Sequence, residues 1–105
     1  MIITMQHKVV TLCGSFRFWE EMQKAAETLS LEHGWVVLPP LPHVLDRSLT
    51  DGEKQQLGAL HLARIDLADA IYVVNVDGYI GDAVKREIAY ATAKGKEILY
   101  LVAPK

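Results

Sequence analysis

The chain has 105 residues, 11 basic and 13 acidic, a formal net charge of −2, and 50% hydrophobic residues. At roughly 100–200 residues per domain this is one domain, residues 1–105. Its charge balance excludes electrostatic binding of bulk nucleic acid. No apolar run approaches the roughly 20 residues of a membrane span, and Met1–Lys8 does not read as a secretory leader. The single cysteine, Cys13, rules out an internal disulfide and a multi-cysteine zinc site. The expectation is a cytoplasmic, single-domain protein. Its one small core leaves the site of any enzyme at an edge, open to completion by a partner subunit.

In chain order, Lys8–Leu12 is a β-branched run that ends at Cys13-Gly14-Ser15, a strand running into a turn. From Phe16 to His33 the apolar Trp19, Met22, Ala26 and Leu29 recur at helical spacing, and Gly34 supplies a stop. Trp35–Leu38 is a second strand. Pro39-Pro40-Leu41-Pro42 then opens a loop, because proline breaks both helix and inner strand. Thr50-Asp51-Gly52-Glu53 is a capping box for a helix that runs to about Ala68. Ile71–Val76 is apolar almost throughout, as in a strand covered on both faces. Asp77–Gly81 is a turn-rich loop, Asp82 caps a helix over Ala83–Lys94, Gly95 stops it, and Glu97–Val102 is the last strand.

This alternation predicts an α/β fold, a doubly wound (flavodoxin- or Rossmann-like) parallel sheet of four to five strands with helices on both faces. Ligands bind such sheets outside the carboxyl ends of the strands, where the strand order reverses. The loops expected there are 13–18, 39–49 and 76–82.

Three groups of residues are candidates for chemistry. Gly14-Ser15-Phe16-Arg17-Phe18 joins a close-approach glycine to an expected helix start, whose free N–H groups suit an anion such as phosphate. There Ser15 adds a hydroxyl, Arg17 a clamp for phosphate oxygens, and Phe16 or Phe18 a stacking surface. The same residues also read as a tight turn with a capping serine and a solvated arginine. The second group is Asn75-Val76-Asp77-Gly78-Tyr79-Ile80-Gly81-Asp82, followed by Glu87 one turn inside the next helix and beside its apolar stripe. Glu87 reads either as a carboxylate facing the mouth of the sheet or as an ordinary surface residue. The third is His61, Arg64, Asp66 and Asp69, where His61 reads as a packed histidine and Asp69 as a cap or turn residue. His7, His33, His43 and His61 have no metal-ligand spacing. Cys13, near a helix start that would lower its pKa, lacks an evident histidine partner and reads as a small buried residue.

Taken together, Cys13–Phe18 after the first strand, Ile65-Asp66-Leu67-Ala68-Asp69-Ala70 before the central one, Gly78-Tyr79-Ile80-Gly81 running to Glu87-Ile88-Ala89-Tyr90-Ala91, and Lys94-Gly95-Lys96 resemble the nucleoside 2-deoxyribosyltransferase family. They look nearest to a compact bacterial and phage branch marked by the Asn75–Gly81 loop and Glu87. The resemblance implies homodimers or higher homo-oligomers with shared active sites. It also implies cleavage or transfer of the N-glycosidic bond of a (deoxy)nucleoside or its 5′-monophosphate, with no cofactor and no metal. Glu87 would be the nucleophile of a retaining reaction, Tyr79 would orient it, and Asp77 or Asp82 would protonate the leaving base. Gly14, Ser15, Phe16, Arg17, Asn75, Gly78 and Gly81 would bind substrate, a nucleoside or nucleotide, with Arg17 and Ser15 on a 5′-phosphate. A non-catalytic module that binds a nucleotide or sugar phosphate is the alternative.

Overall fold

The structure is a computed structural model that describes residues 7–42 and 46–104. Most of Met1–Lys8, His43 and part of the 39–49 loop therefore lie outside the described residues. Four strands form one parallel sheet in the order β2-β1-β3-β4. They are β1 (Val9–Cys13), β2 (Val36–Leu38), β3 (Ala70–Val73) and β4 (Glu97–Tyr100). The helices between them are α1 (Trp19–His33), α2 (Asp51–Leu67) and α3 (Asp82–Ala93). The expected doubly wound α/β architecture is present, with the lower of the two strand counts among the described residues.

Residue alternation along the strands builds two cores. Val10 and Leu12 of β1 face α1, where they meet Met22, Ala25 and Leu29 together with Ala70 and Val74. Cys13, Ile71 and Val73 face the other way, onto Ile65 of α2 and Val84 and Ala91 of α3. Burying each large aliphatic side chain stabilises the fold by about 1.5–3 kcal/mol. Thr11, fully buried on the second face, satisfies its hydroxyl by donating to the Arg64 carbonyl at 2.7 Å. In β1–β3 register, Cys13 pairs with Val73.

Local chemistry explains the ends of the elements. The capping box at α2 is complete, with Thr50 Oγ1 accepting from Glu53 N and Glu53 Oε1 accepting from Thr50 N. Gly34 (φ 67°) closes α1, and its N–H donates to the Leu29 and Ser30 carbonyls. Asp69 is a tether, since its carboxylate accepts from Val9 N at 2.8 Å and pins the start of β1 beside that of β3.

Two expected helix starts are corrected. Phe16–Phe18 is a separate 3₁₀ turn, and α1 begins only at Trp19. Asp82 is the first residue of α3 rather than its cap, and the cap position is Gly81, which has no side chain to offer. Strand ends are also trimmed, because β3 and β4 stop at Val73 and Tyr100, where the partner strand ends. No helix among the described residues is long and apolar enough to cross a membrane.

Candidate active site

After β1 the chain turns to one side to reach β2, and it later returns across β1 to place β3 on the other side. This reversal leaves a gap between the loops that follow β1 and β3. A cavity of about 440 Å³ lies there. Gly14, Ser15 and Phe16 line it from the β1 loop, and Pro40 and Leu41 from the loop after β2. Leu57, Gly58, His61 and Arg64 of α2 form another wall, facing Tyr79, Gly81, Asp82, Ala83, Val84 and Glu87 of α3 and its preceding loop.

Glu87 sits in the second turn of α3 with a side chain only 20% exposed. Its Oε1 is 3.4 Å from His61 Nε2, and that nitrogen is 3.6 Å from Cys13 Sγ. Cys13 is fully buried. Burial first, then the Glu87 charge, then a hydrogen bond from the thiol to Glu87 push its pKa well above the ordinary thiol range. The helix-start lowering expected from sequence is therefore reversed, and the thiol is held protonated and unreactive. His61 is 7% exposed, and its Nδ1 is buried with no hydrogen-bond partner among the described residues.

Of the eleven residues to which the resemblance gives a catalytic or substrate-binding role, seven reach this cavity: Gly14, Ser15, Phe16, Tyr79, Gly81, Asp82 and Glu87. Gly14 has a steric role, because a Cβ there would stand 3.3 Å from both Val74 Cβ and the Val74 carbonyl oxygen. Tyr79 folds back over Gly81, where a Cβ would come within 3.2 Å of the phenol oxygen.

Four others lie elsewhere. Arg17 is exposed, with its guanidinium over the rings of Phe18 at 4.8 Å and Tyr79 at 4.7 Å. It packs on the Tyr79 ring and is not part of the lining. Asn75 is buried and turned to the end of β4, where its amide donates to the Val102 carbonyl at 2.8 Å and accepts from Val102 N at 2.9 Å. Asp77 and Gly78 are exposed and take the left-handed conformation, with φ of 54° and 82°. They turn the chain back toward α3, in a conformation that aspartate and glycine tolerate better than other residues.

The anion site expected at Ser15–Phe18 is also changed. Ser15 Oγ accepts from Arg17 N, and the Ser15 carbonyl accepts from Phe18 N at 2.9 Å. Those amides are used inside the 3₁₀ turn. The guanidinium in the lining belongs instead to Arg64, half-buried on α2, which makes no ion pair among the described residues. His61, Arg64 and Cys13 stand closer to the centre of the site than their positions along the chain suggest. Cys13 and His61 are 48 residues apart, and only the crossover geometry brings them together. The one signal available was that His61 and Arg64 share a helical face.

No protein-family model matches the chain, and no curated protein matches its sequence. Among solved structures, the 2-deoxyribosyltransferase of Bacillus psychrosaccharolyticus aligns over 88% of this chain and 70% of its own, with a TM-score of 0.67 at 21% identity. This chain shares that enzyme's fold. The Bacillus protein is described as a biocatalyst for the industrial synthesis of antiviral and antitumoral nucleosides.

Proposed function

We propose that this protein cleaves or transfers the N-glycosidic bond of a (deoxy)nucleoside or its 5′-monophosphate, with Glu87 as nucleophile. The observation that carries the reading is the Glu87 carboxylate, four-fifths buried, lining a cavity at the reversal point of a sheet that a deoxyribosyltransferase shares. A Glu87 oxygen attacks the anomeric carbon while the C–N bond breaks. The base leaves with the bonding electrons and takes a proton. Water or a second base then attacks the same carbon, releasing the carboxylate with overall retention.

Asp82 is the better of the two aspartates for the proton, since it lines the cavity and Asp77 does not. Tyr79 lines the same cavity, its ring held by Phe18 and Arg17. Arg64 takes the role first expected of Arg17, as the cation for a 5′-phosphate. Removing it should raise KM for a deoxynucleoside monophosphate about tenfold or more, and leave KM for the matching nucleoside nearly unchanged.

The test is release of free base from a panel of deoxynucleosides and their monophosphates, for wild type and Glu87→Ala. Release by wild type alone supports the reading. Equal background rates, with nucleotide still raising the melting temperature, would leave a binding module in its place.

A further inference from the structure

Cys13 comes from the carboxyl end of β1, His61 from α2 and Glu87 from α3. Their ligand atoms lie within 4.8 Å of one another, the one such group among the described residues. His61 Nε2 stands 3.6 Å from Cys13 Sγ and 3.4 Å from Glu87 Oε1. The 3.4 Å contact is long for a hydrogen bond between nitrogen and a carboxylate, and Nε2 cannot at once accept from the thiol and donate to Glu87.

The same separations are natural for ligands around one ion. With bonds of about 2.3 Å to sulfur and about 2.0–2.2 Å to nitrogen and oxygen, a tetrahedral ion holds its S and N ligands about 3.5 Å apart and its N and O ligands about 3.4 Å apart. We propose that Cys13 Sγ, His61 Nε2 and a Glu87 carboxylate oxygen form a three-ligand site for a divalent cation of the zinc type, with its fourth position open to the cavity. A thiol and an imidazole select such an ion over magnesium or calcium, which prefer all-oxygen sets. His61 and Glu87 line the cavity, so the ion enters past them and meets the thiol behind.

On binding, the S–H bond breaks, a sulfur–metal bond forms and the proton leaves to solvent. No oxidation state changes. With metal on Nε2, the ring proton sits on Nδ1, which has no acceptor among the described residues. Lack of that outer partner weakens a site by about 10–100-fold, so binding should be readily reversed by chelators. One consequence rests on the glycosyl reading above. A metal ion bound to one Glu87 oxygen withdraws electron density from the carboxylate and fixes it in place, which weakens its attack on the sugar, so zinc should inhibit base release.

The test is titration of chelator-treated protein with Co²⁺, read by absorbance. The expected result is saturation at one Co²⁺ per chain, with strong visible bands of tetrahedral cobalt and a near-ultraviolet thiolate-to-cobalt band, both removed by Zn²⁺. Cys13→Ser should lose the near-ultraviolet band and bind at least about tenfold more weakly. Glu87→Gln should keep that band and bind more weakly. Cys13→Ala, checked for a cooperative melt, replaces the serine variant if that one fails to fold. Weak octahedral bands alone, or an unchanged spectrum and affinity in either cysteine variant, would overturn the proposal. Because these spectra need no turnover, the metal site and the glycosyl chemistry succeed or fail separately. If both hold, Zn²⁺ inhibits wild type, and inhibiting Cys13→Ser takes at least about tenfold more Zn²⁺.

Discussion

Replacing Asn75 separates a structural clamp from a substrate contact. Its side chain, 1% exposed, makes two hydrogen bonds to Val102, at 2.8 and 2.9 Å. They tie the segment after β4 to the end of β3. Each such bond contributes about 0.5–1.5 kcal/mol net. Val102 is itself 41% exposed, so its freed N–H and C=O recover water, and Asn75→Ala should cost about 1–2 kcal/mol. For a domain of this size that lowers the melting temperature by about 4–16 °C.

Asn75→Asp makes a sharper test. One carboxyl oxygen can still accept from Val102 N, but the other faces the Val102 carbonyl where the amide donated. The ionised form is repelled there, whereas the protonated form donates a hydrogen bond, so the new carboxyl has a raised pKa. Its stabilising contribution is present below the unfolded value of about pH 3.9. It is lost as pH rises, by up to about 1.4 kcal/mol per unit until the folded carboxyl ionises. Thermal melts of both variants between pH 3.5 and 7, monitored by circular dichroism, provide the assay. An Asn75→Ala melt within about 1 °C of wild type, or an Asn75→Asp minus wild-type difference that is flat with pH, would rule out the clamp. Weakened nucleotide binding at an unchanged melting temperature would return Asn75 to the substrate site.

Two further predictions concern the same end of the sheet. Gly14→Ala forces a methyl against Val74 and Met22, at 3.3–3.4 Å. It should destabilise by about 1–3 kcal/mol and displace the loop that lines the cavity, lowering ligand affinity as well as the denaturant midpoint. In chelator-treated protein, the buried Cys13 thiol should make stability fall with alkali. Its folded pKa is raised, so its contribution is complete below the unfolded value of about 8.5. It then falls by up to about 1.4 kcal/mol per pH unit. Cys13→Ala should remove that slope between about pH 8.5 and 10. Above that window Tyr72, raised by burial, and Tyr90, raised first by its hydrogen bond to Asp66, add slopes of their own.

Most of the fold was legible because its signals are local. The β-branched runs, the Thr50–Glu53 capping box and the stop at Gly34 each act within a few residues, and each formed where its chemistry required. Misplaced ends have local causes too. Ser15 uses its own oxygens to close a 3₁₀ turn, so α1 starts late, and Gly81 rather than Asp82 occupies the cap of α3. The position of the site was legible from strand alternation, since a reversal point must open near the loops after β1 and β3.

The partners of individual side chains were not legible. Arg17 lies near the site in sequence but stacks on two aromatic rings, an arrangement its neighbours do not specify. Asn75 follows β3 yet bonds 27 residues ahead. Cys13, His61 and Glu87 belong to three elements, and their meeting depends on both crossovers and on the facing of β1. Such contacts are products of topology, which spacing along one chain does not encode.

Trapping the glycosyl intermediate tests the central role of Glu87 most directly. Protein is incubated with a 2′-fluorinated deoxynucleoside monophosphate, whose electron-poor sugar slows breakdown of the ester, and then digested for peptide mass spectrometry. One sugar phosphate should be added to the peptide carrying Glu87, and none in Glu87→Gln. Base release by Glu87→Gln at the wild-type rate, or an adduct on any other residue, would contradict that role.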